Sequence, residues 1–289
     1  MKKFWLFLIM ITLCLPNLSY AYMDVEKAAT TVKKVVEGKM SAWAIRDSRV
    51  KVKKRPILSK RAMAQMVEGR TKVDVTPVPE VTGKKIVDLR KFDSPIKNQG
   101  DRGWCTAFAN VAVMENYANQ AGKPVVLSEI YLWNLYHEYD MYMATDAASK
   151  NFIIQSKDWP YRSEKPVVKD VKTRGVAKIK AYEQVTSISD AMAALDKNEP
   201  VVFAVETNSY WGSPNHGVLS MKGEKEGGHA LAIVGYYYDP DNKDMGGGFL
   251  IFKNSWDKDW GDNGYGYLPF KYCTIYDCYF LKTEGLELK

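Results

Sequence analysis

The stretch "NQGDRGWCTAFANVAVMENY", Asn98 to Tyr117, sets a single cysteine where a glycine-containing loop gives way to a helix-like run. Ala107, Val111, Met114 and Ala118 recur at helical spacing as one apolar stripe, reinforced by Phe108 and Ala112, with Asn110, Asn116 and Asn119 away from it. Gly122 and Pro124 end the run, so a helix is predicted from Cys105 to about Ala121. The position matters chemically. A thiol attacks a carbonyl only as a thiolate, and a free cysteine of pKa about 8.5 is mostly protonated at neutral pH. A helix N-terminus lowers that value with the equivalent of about half a positive charge. A neighbouring imidazole lowers it further by taking the proton. Cys105 has the first feature by its place in the sequence, and the second needs a histidine.

Three histidines are present. His137 falls in an aromatic run and reads as a packed or solvated helix residue, while His216, in "SPNHGV", falls in a loop. His229, in "EGGHALAIVGY", follows two glycines that allow close backbone approach, and a strand-like run then holds its ring rigidly. It is the best candidate base. Asn254, in "FKNSWDKDWG", ends another strand-like run, and its amide oxygen can accept a ring N–H without neutralising an imidazolium. Trp256 can shield that bond from water. The backbone N–H of Cys105 and the side-chain amide of Gln99 are the candidate donors to an oxyanion, each typically worth about 10²–10³ in rate.

Outward from this core, "SEIYLWNLYHEYDMY" from Ser128 reads as a second, aromatic-rich helix, and a short helix near Ser189–Asp196 leads into the strand "PVVFAVET". The last third alternates and is rich in β-branched and aromatic residues. "HALAIVGYYYD", a glycine turn at Gly246–Gly248, "FLIFKNSW", the loop "DKDWGDNG" and "YGYLPF" read as strands and their connections. Helices first and an antiparallel sheet later give an α+β class.

"PIKNQGDRGWCTAFA", "GGHALAIVGYYYD" and "FLIFKNSWDKDWGDNGYGYL" occur in this order, and together they resemble the papain-like cysteine peptidases over about residues 86–289. The resemblance implies a two-lobed papain-like fold. A helical lobe carries the cysteine, an antiparallel, barrel-like lobe carries the histidine, and peptide or protein substrate lies in the cleft between them. Residue by residue it implies Cys105 as nucleophile, His229 as base and acid, Asn254 as its orienter, Gln99 as oxyanion donor and Trp256 as cover of the Asn–His contact. The implied reaction is peptide hydrolysis through a thiolate–imidazolium pair and an acyl-enzyme, with no cofactor or metal. A catalytically idle peptide-binding homologue, and amide transfer or ligation on the same fold, are the alternatives. The chain departs from the family pattern at three places. Arg102 stands where a second cysteine is usual, Thr106 stands where an aromatic usually follows the nucleophile, and no glycine occurs between Tyr142 and Trp159, where a Gly-Gly stretch commonly pairs with substrate.

The N-terminal third reads differently. Lys2 and Lys3, the apolar run Phe4–Leu15 and the small residues Ser19 and Ala21 form a secretory signal expected to be cut after Ala21. The run is too short for a permanent membrane anchor, so a secreted or periplasmic protein is expected. Residues 22–85 carry 16 basic against 7 acidic residues, whereas 86–289 carry 23 against 27. The basic segment has helix-compatible runs at Asp24–Glu37, Ala42–Ser48 and Ser59–Glu68, then the proline-bearing "VDVTPVPEVTG" as a linker. No nucleic-acid-binding motif accompanies it, and its natural acidic complement is the rest of its own chain. It is either a small helical appendage or a propeptide that inhibits by covering the cleft. Beyond the signal, three cysteines remain, so at least one thiol is unpaired. Cys273 and Cys278 are close enough to bridge in an oxidising compartment, but the spacing leaves both states open.

Overall fold

A computed structural model of the chain describes residues 55–75, 83–212, 214 and 216–289. The expected signal peptide, the runs at Asp24–Glu37 and Ala42–Ser48 and most of the proline linker lie outside these. The first described helix, α1 (Lys60–Met66), starts where Ser59 Oγ accepts the Ala62 N–H. The central helix α2 (Cys105–Gln120) matches the run read from the sequence.

The aromatic run from Ser128 was expected to be one helix and is two, α3 (Glu129–Tyr136) and α4 (Met141–Lys150). The break has a local cause. His137 adopts the left-handed conformation at φ 54°, and Asp140 Oδ1 accepts the Tyr142 and Met143 N–H groups, which starts a fresh helix. A fifth helix, α5 (Ile188–Asp196), is capped by Ser187.

Seven antiparallel strands make one sheet: β1 (Lys85–Asp88), β2 (Ala177–Val185), β3 (Val201–Asn208), β4 (Lys225–Tyr238), β5 (Gly248–Lys253), β6 (Tyr265–Pro269) and β7 (Cys278–Leu288). Their order is β2-β7-β3-β4-β5-β6, with β1 paired to β4. Strands β3, β4, β5 and β6 lie on the apolar runs read from the sequence. Strands β1, β2 and β7 do not, because "AKIKAYEQV" and "CYFLKTEGLEL" are half-solvated and carry many charges. Their pairing comes from partners far along the chain, such as Ala177 with Leu288 and Val185 with Phe280.

Helix α2 has two buried faces, where the sequence pattern suggested one. Cys105, Ala109, Val113 and Tyr117 pack into the sheet's core, and Ala107, Val111 and Met114 pack into a second core with α3 and α4. Asn110 and Asn116, expected to lie away from the apolar stripe, are fully buried. Asn116 Nδ2 donates to Leu89 O at 3.1 Å and to Asp93 Oδ1 at 2.7 Å. Asn110 Nδ2 donates to Thr106 O, while its Oδ1 is buried with no hydrogen-bond partner among the described residues.

Loop 93–99 is held between the lobes by buried charge. Lys97 Nζ bonds Glu115 Oε1 on α2 at 2.6 Å and Glu129 Oε1 on α3 at 2.5 Å. Burial alone would lower the Lys97 pKa, but these two carboxylates outweigh it and push it up to about 12. Ser94 bonds Glu115, and Lys253 Nζ at the end of β5 donates to Ser94 O at 2.6 Å. This network fixes the loop that carries Gln99.

Candidate active site

Cys105 is the first residue of α2 and is fully buried beneath β4. It is the free cysteine of the described residues, since Cys273 and Cys278 are joined across a Cα–Cα distance of 5.4 Å. Burial pushes its thiol up to about 12, opposed only in part by the backbone N–H groups of Ala230, Thr106 and Cys105 itself. Ala230 directly follows His229, so the sulfur lies against the part of β4 that carries the imidazole.

His229 is buried, and its Nε2 lies 2.8 Å from Asn254 Oδ1. That oxygen also receives the Ser255 N–H at 2.7 Å, which identifies it as an acceptor and places the ring proton on Nε2. Nδ1 therefore bears the lone pair, and it has no hydrogen-bond partner among the described residues. Burial lowers the His229 pKa to about 4, with the Asn254 bond opposing. The ring stacks on Trp256 at 4.3 Å, and Trp211 meets it edge-on at 6.3 Å. Burial in this covered cleft therefore disfavours a charge on either group.

Gln99 is fully buried, and its side chain is fixed at both ends. Oε1 accepts the Ser255 hydroxyl at 2.6 Å, and Nε2 donates one hydrogen to Arg102 O at 2.8 Å. The second hydrogen of Nε2 has no partner among the described residues. Asn98 pairs with Trp256 across the two loops, so Gln99, Asn254 and Trp256 form one cluster. His137, the exposed cap of α3, and His216, an exposed loop residue, are not hydrogen-bonded to it among the described residues.

Residues 55–75 run through the same place. Leu58 makes a reciprocal backbone pair with Gly228, N–H to O at 2.9 Å each way, one residue from His229. A Cβ on Gly227 would collide with the Leu58 carbonyl, and one on Gly228 with Met63 Sδ, so the two glycines exist in this strand for close approach. Opposite, a Cβ on Gly103 would lie 2.9 Å from Leu58 Cδ2 and 3.1 Å from the Tyr139 ring. Leu58 thus bridges the helical wall and β4. Arg55 donates to Trp256 O at 3.0 Å, Val73 N–H to Cys278 O at 2.9 Å, and Arg70 lies over the Tyr142 ring at 3.8 Å.

A model of the family described as papain family cysteine protease matches residues 84–281. The chain belongs to that family. Among its papain-family relatives, ananain from Ananas comosus is 29% identical over 203 residues, which cover 67% of this chain and 56% of that protein. Cysteine proteinase B from Leishmania mexicana is 31% identical over 232 residues, covering 72% of this chain and 48% of that protein. The chain therefore spans about half the length of these relatives. Xylellain, a cysteine protease from Xylella fastidiosa, shares the fold at a TM-score of 0.60 and 20% identity, over 81% of this chain and 99% of that one. The bromelain protease from Ananas comosus, in complex with the E64 inhibitor, aligns at a TM-score of 0.54 and 22% identity, over 69% of this chain and 98% of that one. The papain-like α+β architecture is thereby established.

The sequence motifs of this papain-family chain named Cys105, His229, Asn254, Gln99 and Trp256, and the tertiary structure gathers all five around one cleft. It adds residues no motif singled out. Ser255 fixes Gln99, Trp211 braces the imidazole, and Tyr139 fills the helical wall beside Gly103. Ser255 and Trp211 leave no periodic signal; the flanking glycines Gly227 and Gly228 were a legible sign of close approach, though not of what approaches.

Proposed function

We propose that this chain is a cysteine peptidase held latent by its own residues 55–75. The observation that carries the reading is the convergence of Cys105 at a helix start with His229, whose tautomer leaves the Nδ1 lone pair directed away from Asn254. With the cleft open, Nδ1 takes the thiol proton, and the sulfur adds to the scissile carbonyl carbon. The oxyanion receives the Cys105 N–H and the free Gln99 amide hydrogen. Collapse breaks the C–N bond as His229 passes its proton to the leaving amine, and leaves a thioester. Water, deprotonated by Nδ1, then attacks the thioester, releases the carboxylate product and restores the thiol. Asn254 and Trp256 hold the ring through both half-reactions.

Latency is supported by Leu58 and Met63 packing against Gly228 beside His229, by the burial of both catalytic groups, and by the excess of basic residues in 22–85 over an acidic remainder. Residues 86–289 are the catalytic unit in this reading, and 22–85 the removable part. Export to the periplasm or outside the cell is supported by the Lys2–Ala21 signal pattern and by the Cys273–Cys278 bridge, which persists only where thiols are oxidised. N-terminal sequencing of the active form tests the processing, and a start at Tyr22 in fully active protein would sink the latency. A thiol-directed epoxide, followed by mass spectrometry, tests the nucleophile. Adduct on Cys105 and loss of hydrolysis in Cys105→Ala are expected. Adduct formation without hydrolysis of a diverse peptide library would instead favour transfer or an idle binding homologue.

A further inference from the structure

Next to Gln99 the loop opens into a hollow of about 140 Å³ lined by Gln99, Gly100, Asp101, Arg102, Tyr161 and Arg162. None of residues 55–75 lines it. Arg102 is pinned over Trp104 at 4.5 Å and over Tyr161 at 5.6 Å from the ring centres. The Tyr161 hydroxyl donates to Gln99 O at 2.6 Å, which ties that aromatic wall to the candidate oxyanion residue. Arg162 reaches the opposite side, with one Nη 3.4 Å from the point a Cβ on Gly100 would occupy. Gly100 is left-handed, at φ 64°, so the turn stays free of side chain where that guanidinium approaches. Neither arginine is in a salt bridge among the described residues. One carboxylate, the exposed Asp101, shares the lining, so two guanidinium charges face one acid. This happens in a region, 86–289, whose overall balance is acidic, with 27 acidic against 23 basic residues.

An arginine stacked on aromatics is pre-organised and retains its in-plane N–H donors for a planar anion. The loop is also continuous with Gln99, so an anion here sits beside the candidate oxyanion residue. We infer that Arg102 and Arg162 form a carboxylate-recognition subsite beside the scissile position. The inference rests on the peptidase reading for its role in selecting substrates, though not for binding itself. The carboxylate has two sources in a peptide, an Asp or Glu side chain or a free C-terminus, and the hollow's chemistry serves either.

Binding to the full-length chain tests the subsite without turnover, because the hollow is open with residues 55–75 in place. N-acetylglycine, N-acetylglycinamide, N-acetylaspartamide and N-acetylasparaginamide are titrated and followed by calorimetry at low salt. Each carboxylate probe is expected to bind about tenfold more tightly than its neutral partner, the preference shrinking as salt screens it. Tighter N-acetylglycine assigns the C-terminus as source, and tighter N-acetylaspartamide assigns a side chain. Arg162→Gln, an exposed substitution that leaves the core untouched, is expected to remove most of the preference. Arg102→Lys is expected to remove it too, since an ammonium neither stacks flat nor binds in a fork. Equal affinity for charged and neutral probes, or a preference that survives both substitutions, overturns the subsite. Carboxylate binding without peptide hydrolysis by any form of the protein leaves the subsite standing and overturns the peptidase reading alone.

Discussion

Leu58→Ala should loosen the cover of the cleft without touching any group proposed to do chemistry. Leu58 is 5% exposed and wedged between Gly103, Tyr139 and the Gly227–Gly228 edge of β4. Truncation removes three carbons at about 0.8 kcal/mol each, or about 2.4 kcal/mol of docking energy, before any cost of the void left behind. The backbone pair with Gly228 survives the change. At about 1.4 kcal/mol per tenfold, the open population of the uncut chain should rise on the order of 50-fold. The assay is the second-order rate of Cys105 alkylation by a thiol-directed epoxide in full-length protein, with the N-terminus checked by mass spectrometry before and after. If only the open form reacts, the rate follows its population and should rise by a similar factor, up to the ceiling set by protein from which residues 22–85 have been removed. An unchanged rate in intact Leu58→Ala, alongside fast labelling of the shortened form, would refute the idea that Leu58 holds the cover down. A fast rate in the intact wild type would refute latency itself.

Gln99→Ala should lower kcat about 10²–10³-fold with little change in KM, as expected for a donor used only in the transition state; Ser255→Ala, which frees the amide that Gln99 presents, should lower it less, and steady-state kinetics on one peptide compares the two. The covered chain should be most stable between about pH 6.5 and 9. The His229 pKa falls from 6.5 to about 4 on folding, so the unfolded chain binds the extra proton between these values, and about 3 kcal/mol of stability is lost as pH drops through them. The Cys105 pKa rises from 9.0 to about 12, so a further loss sets in above pH 9, and thermal melts across pH should show both flanks, with the acid flank removed in His229→Gln. Glu115→Ala should cost about 3–5 kcal/mol in urea unfolding, because it removes one of the two carboxylates that hold Lys97 and the buried acceptor of the Leu127 N–H and the Ser94 hydroxyl. If that variant costs under 1 kcal/mol, the Lys97–Glu115–Glu129 network does not tie the lobes.

Several features of the site are written locally. The helix that begins at Cys105 is announced by its stripe and its Gly122–Pro124 stop, and the strands that carry His229 and Asn254 by their β-branched and aromatic runs. Their alignment across 124 residues of chain was recognised by motif order, since no local pattern gives a distance between Cys105 and His229. The near-continuous apolarity from Ser128 predicts a single helix and hides the break at His137, which depends on one left-handed residue and one aspartate cap. The asparagines of α2 stand apart from its apolar stripe in the sequence, and a periodicity count does not reveal that Asn116 is buried against partners such as Leu89 O and Asp93. Strands β1, β2 and β7 went unread because edge and half-exposed strands owe their conformation to their neighbours in the sheet.

By itself, then, the sequence determined which residues have the chemistry and which short segments hold them, because helix caps, periodicities and close-approach glycines are local properties of the chain. Only the tertiary structure decided the desolvation of Cys105 and His229, the identity of what lies against Gly228, and the gathering of Arg102 and Arg162 around one hollow. Those outcomes depend on desolvation and on contacts between segments far apart in the chain, and such terms exist only once the chain is folded.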